Sequence, residues 1–236
     1  MWSGPRNIST AMMRSWGNRP ETYVSDEPLY AHYLDQTGLD HPGGADTIKN
    51  HETDWKQVVE WLTGPIPNGK SVWYQKQMAH HLLPNIERGW INQLVNCFLI
   101  RDPREMLTSL IEFLPSPRVV DTGLPQQVEL FDQVKQQTGT APLVVDGKDV
   151  LLNPEKMLAA ICERLGLEFT PNMLCWPEGL RETDGVWASH WYNKVKVTTG
   201  FGTYQPKHDT VPDHLQDVYK ECVEFYNHLA PYRLQV

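Results

Sequence analysis

The sequence predicts an α/β fold, a mostly parallel central sheet flanked by helices, and three observations carry that expectation. Short apolar runs such as "LVNCFLI" and "APLVV" are of the kind that fills strands buried on both faces of a sheet. Each is followed by a segment of helical spacing, "RDPREMLTSLIEFL" after the first and "NPEKMLAAICERLGL" after the second, and that alternation builds a parallel sheet. The chain of 236 residues, 40% hydrophobic and 21% charged, is long enough for a real core, so a single domain over 1–236 is expected.

The elements follow in order. Only Met1 and Trp2 stand before the opening turn "SGPRNIST", so the first strand is either very short or trimmed. Residues 8–16 have helical character, with Asn7 or Ser9 as the N-cap and Met12, Met13 and Trp16 facing inward. Beyond "GNRPETYVSDEPLY", the turn-rich "GLDHPGGAD" reads as a surface excursion. "WKQVVEWL" places Trp55, Val58, Val59 and Leu62 at helical spacing, and "KSVWYQKQM" alternates as a strand that ends near "AHHLLP". "LVNCFLI" is the clearest strand, and Pro103 opens the helix after it. "QVELFDQVKQQTG" is a helix, and "APLVVDG" is a second buried strand. Pro154 starts and Gly166 stops the next amphipathic helix. The last third carries several tryptophans, a glycine-broken "TTGFGTYQP" and the amphipathic "LQDVYKECVEFYNHLA".

A formal net charge of -8 disfavours a non-specific grip on nucleic acid or on an anionic membrane, so any anion site must be a local basic pocket. Cys97, Cys162, Cys175 and Cys222 show no C-x-x-C spacing; they read as free thiols of a reducing compartment, and a cytoplasmic address is expected. No signal peptide and no apolar run of membrane-spanning length is seen. His190 and His208 have no metal-ligand spacing, and no metal site is expected.

Two motifs carry chemistry. The first is "WSGPRNIST", a small-residue turn, one cation and a run of hydroxyls leading into a helix. Unsatisfied amides at a helix N-terminus attract phosphate or sulfate, Arg6 adds a charge-assisted contact, and Ser9 and Thr10 add hydroxyls. A capped helix with an exposed arginine would look the same. The second is "FLIRDPREMLTS", which places Arg101 at the carboxyl end of a buried strand, where ligands of open α/β sheets bind, and Ser109 eight residues later. A surface ion pair at a strand end is the competing account.

Together the two motifs resemble the sulfotransferases that use 3'-phosphoadenosine 5'-phosphosulfate (PAPS). Pro5, Arg6, Asn7, Ile8, Ser9 and Thr10 fall on that family's Pro-Lys-Ser-Gly-Thr-Thr loop, and Arg101, Asp102, Pro103 and Ser109 match its 3'-phosphate motif without a gap. "VVDGKDVLLNPEKMLAAICERLGLEF" is similar to its strand-Asp-helix segment, and "TTGFGTYQP", with Gly200 and Gly202, to its nucleotide-closing loop, though without the Arg-Lys-Gly wording. The resemblance implies a P-loop-NTPase-like sulfotransferase fold that binds PAPS through residues 5–10, Arg101, Ser109, Gly200 and Gly202. It further implies transfer of a sulfuryl group to a hydroxyl or amine of a small-molecule acceptor, with release of PAP and with a homodimer as an option for assembly. A kinase or NTPase is the alternative enzyme, although the loop lacks Gly-Lys-Ser/Thr. A non-catalytic nucleotide-binding descendant of the fold is the third reading.

The departures from the family wording shape the expected mechanism. Arg6 stands where relatives have lysine, and a guanidinium stabilises charge but gives up no proton. Ile8 replaces a glycine, so a negative φ is expected there. Met78 stands where relatives have a histidine base, which leaves His80, His81 and Glu27 as candidates; some bacterial relatives use a carboxylate from the region of Glu27. Glu27 could equally position substrate or pair with Arg6 or Arg14. Asp26 reads as its solvated neighbour. Lys76 could approach the 5'-phosphate, but a lone lysine after a strand is usually at the surface. Asp146 resembles a Walker B carboxylate or a turn cap. Trp187, Trp191 and Tyr192 either line a ligand pocket or pack in the core.

Overall fold

The computed structural model describes residues 1–236. In chain order the elements are β1 (Trp2–Ser3), α1 (Ser9–Gly17), β2 (Thr22–Asp26), α2 (Tyr30–Thr37), α3 (Gly44–Asn50), α4 (Trp55–Leu62), β3 (Val72–Met78), β4 (Cys97–Ile100) and α5 (Pro103–Leu110). They continue with α6 (Leu124–Thr138), β5 (Leu143–Asp146), α7 (Gly147–Leu152), α8 (Pro154–Arg164), α9 (Ala188–Trp191) and α10 (Gln216–Leu229), with short 3-10 turns between. The sheet has five strands in the order β2-β3-β1-β4-β5, all parallel where their register is defined, with helices flanking it. The predicted α/β class is therefore observed. β1 is two residues long, extended by Met1, whose ammonium donates to the Gln75 carbonyl at 2.8 Å and whose carbonyl accepts from the Gln77 amide at 2.9 Å.

The chain groups into two compact units, one of Met1, 9–94 and 170–201, the other of 2–8, 95–169 and 202–236. In the first, α1 buries Met12, Met13 and Trp16 as its spacing predicts, and Trp16 stacks on Tyr74 of β3 at 5.5 Å. Asp54 caps α4 by accepting from the Lys56 amide, and α4 sinks Val58 and Leu62. β2 and β3 pair in register from Thr22 with Val72 to Asp26 with Lys76. Neither β2 nor the helices α2 and α3 stand out in the sequence. The turn-rich excursion is only the exposed link at 38–42 between those two helices.

In the second unit the helix signals hold. Pro103 occupies the first turn of α5 behind the cap Asp102, and Pro154 that of α8 behind Asn153. Gly166, at φ 69°, stops α8 while the Leu167 amide returns to the Cys162 carbonyl. Phe98, Leu99, Val144 and Val145 are wholly buried, as the two apolar runs require. Met106, Leu107, Leu110, Leu124, Val211, Leu215 and Cys222 form a second apolar core, which α5, α6 and α10 share. Cys97, Cys162 and Cys222 are buried free thiols and Cys175 an exposed one. No helix is long and apolar enough to cross a membrane.

Candidate functional site

In the second unit the opening turn and the α5 motif converge. Arg6 sits at φ 59°, in the left-handed region that non-glycine residues avoid, while Ile8 does not, so the backbone irregularity falls on the arginine itself. Its guanidinium Nε donates to Ser109 Oγ at 2.9 Å and lies 4.6 Å from the centroid of the Phe113 ring. Arg101 donates to the Arg6 carbonyl and pairs with Glu105 at 3.3 Å. Arg6, from the opening turn, thus joins Arg101 and Ser109, some hundred residues along the chain, in one cationic group carrying a hydroxyl. Burial draws the Arg6 guanidinium below its ordinary value, Glu112 opposes this, and Arg101 adds to it.

The turn is held in place by its own asparagine. Asn7 donates from Nδ2 to the Leu99 carbonyl of β4 at 3.1 Å and accepts the Ile8 amide on Oδ1 at 2.8 Å. The Ile8 amide is therefore committed to Asn7. Two glycines allow the close approach: a Cβ on Gly4 would meet the Thr122 carbonyl at 2.3 Å, and one on Gly147 would meet Asn7 Oδ1 at 2.7 Å. Gly4, Pro5, Asn7 and Arg101 line one small cavity. Ser9 and Thr10 open α1, Ser9 buried and Thr10 half-buried.

Glu105, which the sequence reading passes over, ties the C-terminal loop to this group. Its buried carboxylate accepts from the Tyr204 hydroxyl and from the Lys207 amide besides meeting Arg101. Burial works to raise its proton affinity, but Tyr204, Arg101 and the Lys207 amide together bring it below the ordinary value. The same bond pushes the Tyr204 hydroxyl up to about 12. Gly202 belongs to this segment; Gly200 lies in the first unit, bridged to Cys175. Asp146 is a cap: it accepts the Lys148 amide at 2.8 Å and the Tyr226 hydroxyl at 2.7 Å.

The first unit holds a buried group of charges. Lys76 on β3 is 1% exposed, which corrects the expectation of a surface lysine. Its ammonium donates to Asp26 Oδ1 at 2.9 Å, to the Tyr192 hydroxyl at 2.7 Å and to Glu27 Oε1. Asp26 is likewise buried rather than solvated; its carboxylate accepts from Tyr192 and from the Gly185 amide at 3.2 Å. Glu27 pairs with Lys76, and Arg14 pairs with Asp184, so the alternative partner for Glu27 is neither Arg6 nor Arg14. Glu27 sits at φ 41° with its side chain 13% exposed. Burial raises its proton affinity; Lys76 lowers it and Asp26 raises it further.

His81 Nδ1 stands 3.9 Å from Glu27 Oε2 and has no hydrogen-bond partner. The buried ring lies in stacking contact with Tyr30 and Tyr33, each 4.7 Å away. Burial, then His80, His41 and Lys76, keep it neutral well below the ordinary histidine range. His80 meets Tyr33 edge-on from the same 3-10 turn and is less deeply buried. The two histidines thus sit against aromatic rings and against each other. Trp187 and Tyr192 are core residues, Trp187 edge-on to Tyr30. The sequence singles out Lys76, but nothing local to its strand signals that the side chain is buried.

A family model described as a sulfotransferase domain matches residues 1–231. Among solved structures, the sulfotransferase domain of an olefin synthase from Synechococcus PCC 7002 superposes with a TM-score of 0.53 at 16% identity, covering 96% of this chain and 92% of that one. A sulfotransferase domain from the curacin biosynthetic pathway gives 0.53 at 16% identity over 99% and 97%. Two Arabidopsis thaliana proteins named branched-chain-amino-acid aminotransferase-like protein 2 and protein 1 are each 32% identical over 96% of this chain. The chain spans 40% of the length of those relatives. By the family model over nearly its whole length, and in keeping with its fold, the chain belongs to the sulfotransferase domain family.

Proposed function

We propose that this chain is a PAPS-dependent sulfotransferase acting on a hydroxyl, or an amine, of a small-molecule acceptor. The observation that carries the reading is the convergence of Arg6, Ser109 and Arg101, the residues that match the two phosphate motifs, into one group. A donor set of two guanidiniums and a hydroxyl suits phosphate and sulfate oxygens, and Arg is the side chain that binds them bidentately.

In the proposed reaction the acceptor oxygen bonds to sulfur, the bond from sulfur to the phosphate oxygen breaks, and PAP leaves with that electron pair. The protein's share is positioning and electrostatics. Residues 5–10 hold the 5'-phosphosulfate, with Arg6 offsetting the charge that develops on the departing oxygen. Arg101 and Ser109 take the 3'-phosphate, and the glycine loop with Gly200 and Gly202 lies along the nucleotide. Glu27 takes the acceptor proton: its carboxylate is partly exposed, its proton affinity is raised, and Met78 leaves no histidine at the family position. His81 and His80 are the competing bases, and His81 is disfavoured because burial holds it neutral and weakly basic. A cytoplasmic address and homodimeric assembly complete the proposal.

The test is direct. Adenosine 3',5'-bisphosphate should raise the melting temperature, and ATP with Mg²⁺ should not. Sulfur-labelled PAPS should then pass its label to a compound in an acceptor screen. Stabilisation by ATP alone would point to a kinase or NTPase. Bisphosphate binding with no transfer to any acceptor would mark a binding module.

A further inference from the structure

We propose that Lys76 is a positioning residue for Glu27, fixing one carboxylate oxygen so that the other is presented to the acceptor's proton, while Asp26 and Tyr192 anchor the ammonium. The inference rests on the reading of Glu27 as the base.

The geometry leaves Lys76 no other task. An ammonium has three donors, and here they meet three oxygens: Asp26 Oδ1 at 2.9 Å, the Tyr192 hydroxyl at 2.7 Å and Glu27 Oε1. With its side chain 1% exposed, no donor remains for a phosphate, against the expectation that Lys76 approaches the nucleotide. The anchor is itself anchored. Tyr192 donates to Asp26 while accepting from Lys76, and Asp26 also takes the Gly185 amide at 3.2 Å. Lys76 and Asp26 are partners in the β2–β3 register, so the sheet delivers the ammonium next to Glu27, the residue that follows β2. The backbone agrees, because the Glu27 amide donates to the Lys76 carbonyl at 3.0 Å and holds Glu27 at its unfavourable φ of 41°. Such a conformation persists only where the surroundings over-determine it.

What remains of Glu27 is Oε2. It lies 3.9 Å from the unpartnered Nδ1 of His81, beyond hydrogen-bond reach, so its lone pairs are open to an incoming proton. The charged and titratable groups facing Glu27 are Asp26 from β2, Lys76 from β3, Tyr30 from α2, His81 from the turn after β3, and Tyr192 after α9. Of these, Lys76 favours the ionised carboxylate most directly.

The full chain, labelled with 13C-carboxyl glutamate, tests this by NMR titration, the Glu27 signal being assigned by its loss in Glu27→Gln. Removing the cation in Lys76→Met should raise the Glu27 midpoint by about 1 pH unit or more, Asp26→Asn should lower it, and Lys76→Arg should restore it towards wild type. A lysine not coupled to Glu27 would leave its midpoint in place, and an unchanged midpoint in folded Lys76→Met overturns the inference. If Lys76→Met does not fold, Lys76→Gln, which keeps a hydrogen-bond donor without the charge, decides, with an upward shift of the Glu27 midpoint supporting the role of Lys76 and no shift refuting it. Label transfer by Glu27→Gln reads the base separately. Full transfer there defeats the base reading whatever the midpoints do, whereas lost transfer with unmoved midpoints defeats only the role of Lys76.

Discussion

Replacing Asp184 with asparagine should be among the most damaging single changes in the chain. Arg14 donates to both Asp184 oxygens at 2.5 and 2.6 Å, and each side chain is 3% exposed. Removing one partner of a buried pair leaves the other charge desolvated and costs about 3–5 kcal/mol. Part of this is recovered, because asparagine keeps one acceptor and the Tyr192 ring lies 5.9 Å from the guanidinium carbon. The lower end, ~3 kcal/mol, is therefore expected, a roughly hundredfold rise in the unfolded population and a large share of a domain stability of about 5–15 kcal/mol. The change also releases the turn that Asp184 holds through the Arg181 amide at 2.8 Å, next to the Gly185 amide that binds Asp26. Urea unfolding of wild type, Asp184→Asn, Arg14→Met and the double variant gives the cycle. The double variant should lose less than the two single changes added together, because no orphan charge remains. Wild-type-like stability in Asp184→Asn, within ~1 kcal/mol, would refute the reasoning, since only an exposed pair is worth so little.

Four further outcomes are expected. Arg101→Ala should weaken adenosine 3',5'-bisphosphate binding by about 10- to 100-fold in calorimetry, the worth of a charge-assisted contact; unchanged affinity removes Arg101 from the site. Arg6→Ala should depress turnover more than bisphosphate affinity, and an equal loss in both would reassign it to ground-state binding. In pH-rate profiles, Glu27→Gln should abolish the acid limb and most of the rate, while His80→Ala and His81→Ala should retain it; full activity in all three places the base elsewhere. The unfolded chain protonates His81 near the ordinary 6.5 while the fold keeps it neutral, so stability is lost as pH falls below that value. Glu27, raised from 4.5, works in the opposite sense, so the readout is a comparison: His81→Phe, which keeps the stacked ring, should lose less stability on acidification than wild type. Identical acid profiles would remove His81 as the source.

Much of the fold was legible because its signals are local. Pro103 and Pro154 mark helix starts, Gly166 a stop, and the runs ending in Ile100 and Asp146 are too apolar to be anything but buried strands. β2 and α2 were not legible. "TYVSD" and "YAHYLDQT" carry serine, aspartate, histidine and tyrosine at positions that proved buried, and burial of polar groups depends on partners that no periodicity records. The short α7 and α9, of 6 and 4 residues, hold too few turns for a period to show. Within the site, the spacing from Arg101 to Ser109 spans one strand end and one helix, so chain geometry alone brings those side chains to the same end of the sheet.

By itself, the sequence determined the α/β class and pointed to two candidate anion motifs, with Arg6 and Met78 standing where the family it resembles has lysine and histidine, all read from single segments. Only the tertiary structure decided where the charges went. Asp26 was expected in solvent and Lys76 at the surface or near a phosphate, while Glu27 stood between a base, a substrate-positioning group and a partner of Arg6 or Arg14; the β2–β3 register instead sets Asp26 beside Lys76, Lys76 pairs with Glu27, and Tyr192, 116 residues along the chain from Lys76, closes over the ammonium and Asp26. A buried ion is tolerated only where its counter-charge and donors are assembled around it, and those come from distant parts of the chain.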